Sequence, residues 1–552
     1  MANYPAKELV NLIRTESDHG IGRLATFSVI SGIATAALLA VINHAADIAA
    51  SAVVELQYLA IYSVIATIAL YSQKYALQRA VFMVEAILCK IRIRFADKIR
   101  QTELQFIETK GAEDIYNILA RDTALISQGS TMIFSALQAV ILLIFALIYL
   151  SLISFEGFLI TVSAIALAAY VFILYRRSII RDLEAASRKE TEFFEALNHS
   201  LSGFKEVKLN RARSNDLFQH QKHIALEVEH HKARAGASSV IVMIFGMVFL
   251  YALIATILFV WPLLSPETST DVVIKLTASI LFILGPLEKL IGPLPLLLKT
   301  DVAIQSIRTL EQLVDANSRV SPQNLSTPVK ERFFRTLEFD QVRFQYMDAE
   351  GQPSFSVGPI QFQVERNDIL FIVGGNGSGK STLMKLLTGL YYPSGGRILL
   401  NNELVDQALY PEYRELFSII FTDFHLFDRL YGLGAVDEER MEKMLVTMDL
   451  QRKTAFREGR FTNLRLSTGQ RKRLAFINAT LEDKQIYIFD EWAADQDPAF
   501  RKYFYEVLLP GLRDQGKTVI AVTHDDRYFH TADRILKLEE GKLVEPVVWE
   551  RA

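Results

Sequence analysis

The stretch Gly374-Gly375-Asn376-Gly377-Ser378-Gly379-Lys380-Ser381 fits the pattern G-x-x-x-x-G-K-[ST]. An apolar run, Ile369-Leu370-Phe371-Ile372-Val373, precedes it and reads as a buried strand, while Thr382 opens a helical pattern over residues 382–390. Strand, glycine-rich loop and helix in that order make a P-loop. The glycines let successive backbone N–H groups turn toward phosphate oxygens, and the helix start adds its positive dipole end. Lys380 is expected to reach the β- and γ-phosphates, and Ser381 to carry Mg²⁺ on its hydroxyl. A plain glycine-rich turn is the alternative, and the flanking strand and helix argue against it.

Working outward, the 552 residues exceed what one core usually organises, so two domains are expected. Half of the chain, 51%, is hydrophobic, and the mean hydropathy is +0.21, so the apolar surplus must be concentrated somewhere. It lies N-terminal to the P-loop, in six stretches: residues 24–42, 56–72, 131–153, 157–175, 237–262 and 272–298. Each approaches the roughly 20 residues that a helix needs to cross the hydrocarbon core, the second only with its flanks. The first follows a mixed-charge leader without an obvious cleavage site, so it reads as a span rather than a signal peptide. A net charge of −3 argues against nucleic acid as a partner, and the single cysteine, Cys89, makes no intrachain disulfide.

Basic residues orient the spans. Connections 43–55, 154–156 and 263–271 contain no Lys or Arg, whereas 73–130 and 176–236 are rich in them. The positive-inside rule therefore puts both termini and the two long connections in the cytoplasm. Those connections keep helical spacing with hardly any Pro or Gly, so the membrane helices are expected to run on and turn back near residues 111–117 and 203–210. In the last span, Pro286, Pro293 and Pro295 predict a break, and Glu288 and Lys289 predict either a cavity-facing pair or residues snorkelling at the cytoplasmic end.

A polar segment with Pro322 and Pro328 marks the boundary, giving a membrane domain over residues 1–315, a linker over 316–330 and a nucleotide domain over 331–552. Alternation in Leu337, Phe339, Val342 and Phe344 predicts strands, with Tyr346 near their end. Past the P-loop, Ile486-Tyr487-Ile488-Phe489 reads as a second buried strand ending in Asp490-Glu491. Such a strand delivers one acid to the Mg²⁺ shell, here Asp490, and a second to the attacking water, here Glu491. A third apolar strand, Thr518-Val519-Ile520-Ala521-Val522, leads to His524.

Together with Leu466-Ser467-Thr468-Gly469-Gln470, these elements resemble the ATP-binding cassette of ABC transporters, whose signature is L-S-G-G-Q. The resemblance implies that Tyr346 stacks on adenine, and that Gly374, Gly375, Asn376, Gly377, Ser378, Gly379, Lys380, Ser381 and Thr382 hold the phosphates of ATP. It also implies that Ser467, Gly469 and Gln470 serve a second cassette's nucleotide, that Asp497 is the D-loop acid, and that His524 is the switch histidine. The implied unit is a head-to-tail homodimer.

Six spans ahead of one cassette resemble ABC exporters over nearly the whole chain. The stretch Asp490-Glu491-Trp492-Ala493-Ala494-Asp495-Gln496-Asp497-Pro498, with His524-Asp525-Asp526-Arg527-Tyr528-Phe529, is similar to the subfamily exporting cyclic peptides and peptide siderophores, of the pyoverdine-precursor type. That implies a bacterial inner membrane and a peptide or siderophore-precursor substrate carried from cytoplasm to periplasm. A lipid or drug exporter, or an ATP-gated channel or regulator, are the alternatives. Two positions depart from the family pattern: Thr468 replaces a signature glycine, and Thr422 stands where the Q-loop has glutamine, which makes direct metal contact there doubtful by reach.

Overall fold

A computed structural model describes residues 7–16, 21–50, 56–264, 269–292, 294–318, 332–348, 352–434 and 436–544. The chain divides into two compact units: Met1–Asp97 with Ala112–Leu313, and Lys98–Gly111 with Val314–Ala552. Most of the expected linker, and Pro293, lie outside the described residues.

The first unit is helical. After α1 (Lys7–Glu16) come α2 (Ile21–Ala50) and α3 (Leu56–Gln101), then, beyond the excursion of residues 98–111, α5 (Ala112–Asn117) and α6 (Thr123–Ile153). A single residue, Ser154, then separates α6 from α7 (Phe155–Ser202), and its hydroxyl accepts from the Gly157 amide to cap α7. At 48 residues α7 is about 72 Å long, more than twice the thickness of a bilayer core. It turns at Gly203 into α8 (Phe204–Leu209) and returns as α9 (Arg211–Ala255), so the second expected turn over residues 203–210 coincides with α8. Beyond the lipid zone the α7–α9 pair is laced by Lys189–Glu227 at 3.1 Å, Lys232–Glu190 at 2.8 Å and Gln221 donating to Ser200 at 2.6 Å.

Among the described residues, five helical stretches are long and apolar enough to cross a membrane: Gly22–Ala45, Ala112–Ile153, Phe155–Ser202, Arg211–Leu263 and Thr270–Leu290. The remaining expected span, the second in the chain, opens α3, where Gln57, Tyr58, Tyr62, Tyr71 and Gln73 dilute its hydropathy. Of the three prolines expected to interrupt the last span, Pro286 lies inside α11 (Thr270–Ile291), and the interruption comes further on, where the chain turns at Gly292 before α12 (Leu294–Ala316). One lost N–H bond is tolerated at Pro286 because the residue is buried among other helices. Between α6, α7, α9 and α11 lies a cavity of about 780 Å³. Phe172, Met243 and Met247 represent its apolar wall, and Thr161, Ser239 and Glu288 are among its few polar groups.

In the second unit two sheets carry the chemistry. An antiparallel sheet runs β2 (Pro353–Glu365), β1 (Thr336–Met347), β4 (Gly395–Leu400), β5 (Glu403–Leu404). The other has the order β12 (Lys542–Val544), β11 (Arg534–Glu539), β3 (Ile369–Val373), β10 (Thr518–Val522), β9 (Ile486–Asp490), β6 (Phe417–Ile420), and is parallel from β11 to β6. Strands β9 and β10 are buried at every position, as uninterrupted apolar runs in a parallel sheet require.

Residues 98–111 pack with this unit through α4 (Leu104–Lys110). Glu108 accepts from Lys385 at 2.7 Å and from the Tyr391 hydroxyl, and Glu103 accepts from Tyr392 at 2.9 Å.

Candidate functional site

Because β3, β9 and β10 are parallel neighbours, their carboxyl ends open at one edge, where open α/β sheets bind ligands. Val522 pairs with both Asp490 and Ile372, which brings the three expected motifs into one row. The P-loop leaves β3 and enters the helix Lys380–Leu387, with Gly379 at φ 98° as its N-cap. A side chain at Gly374 would bring its Cβ within 2.3 Å of the Leu538 carbonyl, so only glycine fits there.

The loop is shaped for anions. Lys380 is 7% exposed, and its ammonium donates to the carbonyls of Gly374 at 2.9 Å and Gly375 at 3.0 Å. It also lies 3.9 Å from Glu491. The buried Ser378 hydroxyl has no hydrogen-bond partner among the described residues, as expected of a group aimed at a ligand. Thr382 is buried and shares a hydrogen bond of 3.2 Å with the hydroxyl of Tyr346. Tyr346 is half-buried on β1, with its ring 6.0 Å from Tyr391.

Asp490 ends β9 and is 4% exposed. Burial pushes its pKa above the ordinary carboxylate value, and the Thr422 hydroxyl, donating to it at 3.1 Å, pulls the other way. A buried carboxylate at the strand end beside the phosphate loop's Lys380 fits Mg²⁺, which takes one or two protein oxygens and completes its shell with phosphate and water. Among the described residues no group of three or more His, Cys, Asp and Glu could hold a metal by itself. When bound, Mg²⁺ neutralises charge that builds on the phosphate oxygens. Thr422 thus touches Asp490, the acid expected in the metal shell.

Glu491 follows in the left-handed region, φ 47° and ψ 38°. Its amide donates to Val522 at 3.2 Å, and its carboxylate accepts from His524 Nε2 at 2.9 Å. Non-glycine residues rarely hold this conformation, and it is found where surrounding contacts impose it. Here it turns the carboxylate out of the sheet toward His524 and Lys380.

Ser467, Gly469 and Gln470 form the start of a different helix, Thr468–Leu481. Ser467 and Gln470 cap it reciprocally, at 3.4 and 3.1 Å, so the glutamine side chain is engaged in the turn itself. A Cβ at Gly469 would sit 2.6 Å from the Asp495 carbonyl, which requires glycine, whereas Thr468 is exposed and tolerates a side chain. Among the described residues no hydrogen bond or ion pair joins these three to the P-loop. Asp497 caps the helix Pro498–Tyr503 by accepting from Phe500 at 2.9 Å, and it accepts from Arg473 at 2.6 Å. The Phe500 amide and, behind it, Arg473 hold its pKa below the ordinary carboxylate value against the opposing effect of burial.

Sequence reasoning missed Lys472 and Gln496. Lys472 is 1% exposed and reaches the Glu491 carbonyl, and Gln496 donates to the Gly469 carbonyl at 3.0 Å. Lys472 sits in a run of basic residues that reads as a solvated face, and no local signal separates it from Arg471.

Residues 357–494 match the ABC transporter family. Over 534 residues, 94% of this chain and 93% of the relative, the protein is 31% identical to the ATP-binding protein SyrD of Pseudomonas syringae pv. syringae. It is 25% identical over 487 residues, 83% of the chain and 78% of the relative, to an ATP-dependent lipid A-core flippase of Cupriavidus metallidurans. A bacterial Atm1-family ABC exporter solved with ATP bound superposes with a TM-score of 0.72, covering 95% of each chain at 17% identity, which gives the fold. The end-to-end likeness to SyrD and the cassette match carry the family: this chain is a member of the ABC transporters, an exporter-fold membrane protein that binds ATP with Mg²⁺ and couples its hydrolysis to transport.

Proposed function

We propose that the protein exports a cyclic peptide or peptide-siderophore precursor, of the pyoverdine-precursor type, from cytoplasm to periplasm across a bacterial inner membrane. The motif resemblance carries the substrate class, and it is consistent with the cavity of about 780 Å³ among α6, α7, α9 and α11, apolar but with Thr161, Ser239 and Glu288 on its wall. Such a wall suits an amphipathic molecule with an apolar body and a few polar groups. The motif resemblance around Asp490–Pro498 and His524 supports the peptide class.

In this reading the working unit is a homodimer, with domains at residues 1–315 and 331–552 joined by 316–330 and with both termini cytoplasmic. Residues 374–382 cradle the phosphates, Ser381 and Asp490 hold Mg²⁺, and Tyr346 stacks on adenine. Ser467, Gly469 and Gln470 of one copy, with Asp497 nearby, meet the nucleotide on the other. Glu491 orients the attacking water and takes its proton, with His524 fixing the carboxylate. ATP shifts the pair toward the closed state only through its higher affinity for that state, and hydrolysis releases it.

A lipid exporter is the second reading, favoured by the apolar share of the same cavity and by the likeness to a lipid A-core flippase. Full-length protein in inside-out proteoliposomes separates them: ATP-dependent uptake of a peptide-siderophore precursor is expected. Flipping of a labelled lipid A precursor without peptide uptake would replace the first reading with the second. Ion current without net accumulation would replace both with a channel.

A further inference from the structure

We propose that Lys472 is a positioning residue for Glu491, holding the backbone of the hydrolytic carboxylate in the conformation that presents it to His524. The inference rests on the reading of Glu491 as the hydrolytic base.

Lys472 lies on the first turns of the helix Thr468–Leu481 and is 1% exposed. An ammonium is costly to bury, and its partners show where the cost is offset. One is the Asp495 carboxylate at 2.7 Å, itself 45% exposed. The other is the main-chain carbonyl of Glu491, also at 2.7 Å. A salt bridge alone needs only the first contact. The second is made to the one residue of this strand end that sits at φ 47°.

The grip is two-sided. While the side chain of Lys472 holds the carbonyl of residue 491, its own carbonyl accepts from the indole N–H of Trp492 at 2.8 Å. Trp492 is fully buried and stacks on Phe504 at 4.4 Å, so it is a fixed anchor. The Glu491 carbonyl otherwise accepts only from the Ala494 amide, at a longer 3.3 Å, among the described contacts. Without the ammonium, the left-handed turn loses its strongest tie, and a relaxed φ swings the carboxylate away from His524 and from the γ-phosphate side of Lys380. A charged donor is the stronger kind of hydrogen bond, which suits a strained backbone.

The test uses full-length protein in detergent or liposomes, comparing Lys472→Met with Asp495→Ala. Lys472→Met is expected to lower kcat for ATP about ten- to hundredfold while nucleotide affinity in Mg²⁺-free buffer stays within about twofold, the pattern of a misplaced catalytic group. Asp495→Ala removes the same ion pair but leaves the ammonium on the Glu491 carbonyl, so it is expected to lower Tm comparably and to keep most of the parental kcat. Equal losses of kcat in the two variants, or a Lys472→Met protein with parental kcat, overturn the proposal. If the methionine is not tolerated, Lys472→Leu, which likewise has no donor, gives the same comparison: a reduced kcat at unchanged affinity supports the proposal and a parental kcat overturns it. Glu491→Gln run alongside keeps the two claims apart. Full activity in that variant sinks the base assignment, whereas an inactive Glu491→Gln beside a fully active Lys472→Met sinks only the positioning role.

Discussion

His524 Nε2 lies 2.9 Å from Oε1 of Glu491, and the two residues leave adjacent strands of one parallel sheet. The hydrogen bond gives the histidine a positional role: it holds Oε1, the same carboxylate oxygen that lies 3.9 Å from the Lys380 ammonium. Removing the base itself costs more than removing its holder. Glu491→Gln is expected to lower ATP turnover by about a hundredfold or more, and His524→Ala by about ten- to hundredfold. Steady-state phosphate release checks both, and a His524→Ala loss exceeding that of Glu491→Gln contradicts the assignment.

Lys380 makes its two loop hydrogen bonds with carbonyls of Gly374 and Gly375, and an arriving phosphate competes for the same ammonium. Lys380→Ala removes a charge-assisted donor, worth about 1.5–3 kcal/mol, so nucleotide affinity is expected to fall about tenfold or more. Equilibrium binding without hydrolysis is the measurement, and unchanged affinity refutes the phosphate role.

The P-loop, Asp490-Glu491 and His524 are legible in the sequence because each is a local pattern: an apolar strand, then the group it delivers. Strands buried on both faces leave runs such as Ile486-Tyr487-Ile488-Phe489 that survive without knowledge of their neighbours. What stays hidden is made by contacts between distant segments. Glu108 meets Lys385 across 277 residues of chain, and Thr422 meets Asp490 across 68, and neither pairing leaves a periodic trace. The place of the interruption in the last span is hidden for a related reason: three prolines announce it, but the helix α11 continues past Pro286 and ends only at Ile291.

Thr422 donates to a buried carboxylate, so its loss leaves Asp490 with one fewer donor. Thr422→Val, which keeps the shape and deletes the hydroxyl, is expected to raise the Mg²⁺ concentration needed for tight nucleotide binding by about tenfold, the size of one unmade buried hydrogen bond. Thr422→Ser retains the donor and is expected to behave as the parent. A Mg²⁺ titration of nucleotide binding reads this directly, and equal behaviour of the valine and serine variants excludes the role.

Asp497 is held below the ordinary carboxylate value by the Phe500 amide and Arg473, so the folded state binds its proton less readily than the unfolded chain. Its stabilisation is therefore fully present above the unfolded value of about 3.9 and is lost as pH falls through the lower folded one. Asp497→Ala, which deletes the helix cap, is expected to cost about 1 kcal/mol at neutral pH. The gap to the parent should close in acid. Thermal unfolding across pH measures it, and a gap that is constant with pH contradicts the capping account.

Glu108 is the residue through which α4 grips the cassette, because it accepts at once from Lys385, on the P-loop helix, and from Tyr391 just beyond it. The Tyr391 ring stacks on Phe344 at 4.8 Å and lies 6.0 Å from Tyr346, so one carboxylate touches both the phosphate-binding helix and the aromatic cluster beside it. In the chain α4 sits between α3 and α5. Glu108→Ala deletes the acceptor without touching the P-loop. Nucleotide binding and basal hydrolysis are expected to persist while substrate moved per ATP falls several-fold, and Glu108→Gln, which still accepts from Tyr391, is expected to lie between the two. Transport and phosphate release measured on the same proteoliposomes give the ratio. A fall in hydrolysis that matches the fall in transport would mean that Glu108 only stabilises the cassette, because a structural defect lowers both together and a broken linkage separates them.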